Sequence, residues 1–107
     1  MTGVDIWQRV LRSLEHPARR RLLVALLDHN PQSDGVALPG DVHEGRVDPE
    51  TLQVEFEHVH LPLLRSHGYI AWDERRGEVT RGPSFEEIRP VLELFEDHRA
   101  DIPDGWR

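Results

Sequence analysis

Proline and glycine breaks cut this chain into short segments whose order leaves room for little besides a small helical domain carrying one β-hairpin. His16-Pro17 is the first break. Proline disfavours helical geometry in the residue before it and fits the first turn of a helix, so one helix ends near Glu15 and the next opens at Pro17. Asp48-Pro49 repeats the device with a side chain suited to capping, Gly68 is a natural helix stop, and Gly82-Pro83-Ser84 sets off a final segment. At 107 residues the segments make one compact unit rather than two independent cores.

The apolar spacing between breaks assigns each segment. Ile6, Trp7, Val10, Leu11 and Leu14 form a helical stripe over residues 5–15, with Asp5 as its cap. Residues 17–29 form a second helix, and the nearly continuous apolar run Leu22 to Leu27 makes it the central core helix. Turn formers fill Asn30 to Gly35; Val36-Ala37-Leu38 then reads as a short strand or the approach to another helix, with a weak helical turn around 39–44. Pro49 opens a helix over residues 49–67, where Leu52, Phe56, Val59 and Leu63 recur at helical spacing. Val54, Leu61 and Leu64 lie off that stripe, so part of the helix faces a partner. Pro62 deletes the bond from its own nitrogen to the His58 carbonyl, at a cost of about 3 kcal/mol, which predicts a bend near His58–Pro62.

Beyond Gly68 the period changes. Tyr69 to Asp73 and Glu78 to Arg81 read as two strands around Glu74-Arg75-Arg76-Gly77, a hairpin over residues 69–81 with arginines at its tip. A last helix covers 84–99: Ser84 and Glu87 form a capping box, Phe85, Ile88, Val91, Leu92 and Phe95 build its apolar face, and Pro90 is placed to kink it. Residues 101–107 are turn-rich and form a loose tail unless Trp106 docks. Trp7, Trp72 and Trp106 are read as packing residues.

Composition narrows the function. The chain has no cysteine, which excludes disulfides, thiolate metal sites and cysteine nucleophiles. It has no apolar run of the roughly 18 residues that span a membrane, and Met1 to Asp5 lacks the features of a signal peptide, so a cytoplasmic protein is expected. All 13 basic residues are arginine, against 20 acidic ones and a net charge of −7. Such an acidic, lysine-free composition resembles that of proteins from salt-in halophiles, although GC-rich coding also favours arginine. Net acidity ordinarily argues against a nucleic-acid partner, but in a halophile it is background, and the distribution of charge decides.

Helix, helix, short element, long helix, glycine, hairpin, helix is the winged helix-turn-helix plan, a mainly helical α+β fold, here with a β-hairpin wing and an extra C-terminal helix over residues 1–100. Sharper signals are His16-Pro17-Ala18-Arg19-Arg20-Arg21, the run Phe56 to Leu64, and Gly68-Tyr69-Ile70-Ala71-Trp72-Asp73. Over residues 15–82 these resemble a haloarchaeal winged-helix family similar to ArsR-like regulators. The resemblance implies a DNA-binding regulator and names no inducer.

On that reading double-stranded DNA is the partner. Arg19, Arg20 and Arg21, with Arg9 and Arg12, supply a basic stripe for phosphates. Arg75 and Arg76 sit where a wing meets the backbone, and Gln53, His58 and Arg65 are the readers or backbone contacts on the long helix. Against it, residues 41–57 hold Asp41, Glu44, Asp48, Glu50, Glu55 and Glu57 with only Arg46. The rival reading is therefore a protein-interaction module that docks through helix 49–67. His58 and His60, with His67 nearby, invite a metal, but residues two apart on a helix point about 200° apart and no HExxH spacing occurs, so neither metal nor cofactor is expected. No catalytic arrangement is legible, and the protein is read as no enzyme. The apolar face of the C-terminal helix predicts a homodimer.

Overall fold

The computed structural model describes residues 3–28, 36–37 and 48–107. It is mainly helical with one small antiparallel sheet. Helices α1 (Gly3–Leu14) and α2 (Pro17–Asp28) come first, then strand β1 (Val36–Ala37). Helix α3 (Pro49–Glu55) runs through a π turn (Phe56–His60) into α4 (Leu61–Ser66). Strands β2 (Ile70–Asp73) and β3 (Glu78–Arg81), helix α5 (Phe85–Asp97) and a 3₁₀ turn (Arg99–Asp101) complete it. No helix among the described residues is long and apolar enough to cross a membrane. The turn cluster at 30–35, the weak turn at 39–44, and Asp41, Glu44 and Arg46 lie outside the described residues.

The breaks fall where backbone chemistry puts them. Helix α2 opens on Pro17, and α3 opens on Pro49 with the Asp48 carboxylate accepting from the N–H groups of Glu50 (3.1 Å) and Thr51 (3.2 Å). Gly68, at φ +80°, ends α4: its N–H returns to Arg65 O and the Tyr69 N–H to Leu64 O, the paired bonds of a glycine-terminated helix. Two starts differ from expectation. Asp5 lies inside the first turn of α1 rather than capping it, and Ser84 makes no side-chain cap bond at α5.

Pro62 acts upstream of itself. The Leu61 N–H bonds to the carbonyl of Phe56, five residues back, so the turn before the proline is widened. A wider turn lets the pyrrolidine ring clear the preceding carbonyls, which is why the expected bend appears as a π turn.

The sheet order is β1-β3-β2, with Val36 opposite Val79 and Trp72 opposite Val79 on the other side. Its inner face meets the core: Leu22, Leu23, Phe56, Leu61, Leu64, Tyr69, Val79, Ile88 and Leu92 are fully buried, each worth roughly 1.5–3 kcal/mol of apolar transfer. From β3, Arg81 donates to the carbonyls of Leu26 (2.8 Å) and Leu27 (2.9 Å), so the hairpin satisfies carbonyls at the end of α2.

The C-terminus is tied down. Trp106 stands edge-on to Phe95 with ring centroids 4.7 Å apart and donates from Nε1 to Glu96 at 2.6 Å. The expected loose tail at 101–107 is instead folded back on α5, because an indole with both an apolar wall and an acceptor gains more docked than free.

Candidate nucleic-acid interface

The hairpin tip places Arg75 and Arg76 outward. The Asp73 carboxylate accepts from both of their backbone N–H groups, at 3.1 and 3.2 Å, which fixes the turn and leaves the side chains exposed. Arg76 approaches Glu78 at 3.9 Å yet keeps 72% of its side chain in solvent. Beside them a groove between the helix and the hairpin is lined by Gln53, Glu57, His58, Trp72, Glu74 and Gly77. Gln53 donates to Glu57 at 2.7 Å, and Arg65 lies 5.0 Å above the Trp72 ring, bracing the helix against β2. Gln53, His58, Arg65, Arg75 and Arg76 thus fall on the helix and hairpin that bound one groove, with Glu57 and Glu74 among them.

The basic stripe does not survive folding as a stripe. Arg19 is only 7% exposed and donates from Nε to His60 Nδ1 at 3.0 Å and from Nη1 to the Arg12 carbonyl. Arg20 packs 5.8 Å from the Trp106 ring and donates to its carbonyl at 3.0 Å. Arg9 pairs with Glu87 at 3.0 Å. Arg21 is half-buried. Arg9, Arg19 and Arg20 are thus engaged within the fold, while Arg12 stays exposed, so the five charges do not present one continuous face.

The structure also gathers groups that the spacing kept apart. His16 accepts the Ala18 N–H on Nδ1 at 3.1 Å, and its ring centroid lies 4.4 Å from that of His60. Glu55 brings Oε2 to 4.0 Å from His60 Nε2, a nitrogen with no hydrogen-bond partner in a buried residue. Helical spacing hides this pair, since Glu55 and His60 are five residues apart, a separation that faces one way only in a π turn. His16 arrives from another element altogether. Burial, then His16 and Arg19, push the His60 pKa down to about 4. Burial and then Arg19 lower that of His16, with Glu55 opposing.

Ligand-type atoms of His16, Glu55 and His60 lie within 4.8 Å of one another. Their proton placement does not suit a cation. Each ring accepts a hydrogen bond on Nδ1, so a neutral ring carries its proton on Nε2, whereas a metal-binding imidazole offers a lone pair there and donates from its other nitrogen. On His60 that proton points toward the Glu55 carboxylate, 4.0 Å away.

No protein-family model, curated protein or solved structure matches this chain.

Proposed function

We propose that the chain is a cytoplasmic winged helix-turn-helix regulator of the ArsR-like haloarchaeal kind, binding double-stranded DNA with residues 49–66 in the major groove and β2–β3 as the wing. The observation that carries this reading is the sheet order β1-β3-β2 with a helix directly before a hairpin that holds Arg75 and Arg76 exposed at its tip. Arg75 and Arg76 take flanking phosphates; Gln53, His58 and Arg65 face the bases or backbone; Arg19 is a packing residue. Glu57 and Glu74 repel phosphate at low salt. At about 1 M salt, where charges are screened beyond roughly 3 Å, that repulsion is confined to direct contact.

A gel-shift series on genomic fragments in high potassium chloride tests the reading. Retained fragments that Arg75→Ala/Arg76→Ala releases support it; no retained fragment, with the double variant behaving like the parent, overturns it.

A second reading follows from the same groove. Its carboxylates and the exposed Val54 and Val59 favour a basic, apolar segment of a partner protein over a phosphate backbone. A lysine- and arginine-rich peptide titrated into the labelled chain would then shift residues 53–58 and 72–77, and Glu57→Gln/Glu74→Gln would abolish the shifts.

Pairing of two copies belongs to the proposal, but on α1 rather than the C-terminal helix. Phe85, Ile88 and Leu92 of α5 are buried and Phe95 is taken by Trp106, which leaves Leu94 as the one large apolar side chain exposed on α5, whereas α1 exposes two, Trp7 and Leu11, at 54% and 60%. Light scattering of Leu11→Glu should report a monomer if this face pairs.

A further inference from the structure

Helix α2 grips the π turn through Arg19. Its Nε donates to His60 Nδ1 at 3.0 Å, while the neighbouring His16 holds the start of α2 through the Ala18 N–H and packs against His60 with the rings tilted by 50°. The charged groups around the two rings are Arg19 itself, Glu55 on α3 beside both, Glu15 at 3.6 Å from Arg19 Nη1, and Arg20 and Arg21 on α2 acting on His16. Phe56 closes the remaining side of His60 edge-on at 5.4 Å.

We propose that His16, His60 and Arg19 form a proton-operated latch between α2 and the helix 49–66, closed while both imidazoles are neutral and opened when the pair takes up a proton. A neutral ring in this arrangement has its Nε2 already protonated, so an added proton must go to Nδ1. On His60 that nitrogen is occupied by the guanidinium N–H, and on His16 by the Ala18 N–H. Protonation sets donor against donor and, at His60, cation against cation. The Arg19–His60 bond then breaks.

What makes this a switch rather than a weak spot is that each released charge has a carboxylate already beside it. Arg19 has Glu15 at 3.6 Å, and the His60 imidazolium has Glu55 at 4.0 Å. Before the proton, the bond joins α2 to the π turn; after it, Arg19 is paired across the α1–α2 junction and His60 within its own helix. Because the rings are 4.4 Å apart, the first proton discourages the second and the two titrate as one unit. How the helix is held in this way does not depend on what that helix binds.

Nitrogen-15 imidazole spectra of the full chain, together with amide-exchange protection factors at pH 7.5 and pH 4, test it. Both rings should carry their proton on Nε2 at pH 7.5, and on acidification protection at residues 56–64 should fall about tenfold further than at residues 88–94. The variant Glu15→Gln/Glu55→Gln changes only exposed or half-exposed side chains and removes the receiving carboxylates. It should lower the midpoint of the histidine titration by about one pH unit, a tenfold change in proton affinity. An Nδ1–H ring at pH 7.5, an equal loss of protection in both segments, or an unmoved midpoint overturns the latch.

Discussion

The Tyr69 hydroxyl donates to Glu87 Oε1 at 2.7 Å, and Arg9 Nη2 donates to the same oxygen at 3.0 Å. One carboxylate thus joins α1, the entrance of the hairpin and α5. Tyr69 is fully buried, so its hydroxyl has no water to turn to when that acceptor is lost. Glu87→Ala should cost about 1–3 kcal/mol in urea unfolding, and Glu87→Gln, which keeps an acceptor, less. The Tyr69 bond and then Arg9 hold the Glu87 carboxyl below the usual carboxylate range, with burial opposing them. A lowered folded value means stability that is complete above that range and lost as pH falls below it toward the lowered folded value, so Glu87→Gln should flatten the acid limb.

Glu87 also marks how far sequence reads. The spacing of Ser84 and Glu87 correctly announced a helix start, since α5 begins at Phe85, but not the partner. Local rules rank only local donors, and here a buried phenol and an arginine from a distant helix outbid the cap. The helix breaks and the hairpin were legible because they depend on φ preferences of Pro17, Pro49, Gly68 and Gly77. Burial of Arg19 and the meeting of His16, Glu55 and His60 were not, because they depend on how α2 crosses the π turn, which no single segment encodes. The hairpin-tip arginines were legible for the opposite reason: a tight turn exposes what it carries.

Gly82 is held by lack of space. A Cβ there would lie 2.5 Å from Gly68 O, 2.6 Å from Ile70 N and 2.7 Å from Ile70 O, all backbone atoms that cannot rotate away. Gly77, at φ +67°, has open space around it and only backbone strain to lose. Gly82→Ala should therefore destabilise by at least the upper end of the about 1–3 kcal/mol typical of overpacking, and Gly77→Ala by about 1–2 kcal/mol. Thermal melts of the two variants should keep that order.

Trp106→Ala should lower stability by about 1–3 kcal/mol, because it removes the wall against Phe95 and the bond to Glu96 and leaves Arg20 without its ring. A free tail would give no change. Denaturant midpoints of the full chain and the variant separate the two outcomes.

On the proposed DNA-binding reading, removing the hairpin-tip arginines should act on binding and not on stability. Arg75→Ala/Arg76→Ala leaves the Asp73 bonds to the backbone intact, so stability should stay within about 0.5 kcal/mol of the parent. If each arginine neutralises one phosphate, the slope of log affinity against log salt should become shallower by about 2. A smaller affinity with an unchanged slope would place the lost contacts elsewhere than on phosphate.

His60 makes stability depend on pH above the carboxylate range. Its pKa is pushed from the ordinary 6.5 to about 4 by burial, with His16 and Arg19 adding to the effect. Between those values the unfolded chain binds the proton and the folded chain does not, so folding stability is complete above pH 6.5 and falls as pH drops toward 4. His16 and His67, both lowered chiefly by burial, act in the same direction. Urea unfolding at half-unit steps from pH 7.5 to pH 4 should show the decline. In His60→Gln, which keeps an acceptor for Arg19 but takes up no proton, most of that slope should vanish, and an unchanged slope would assign the effect to the other histidines.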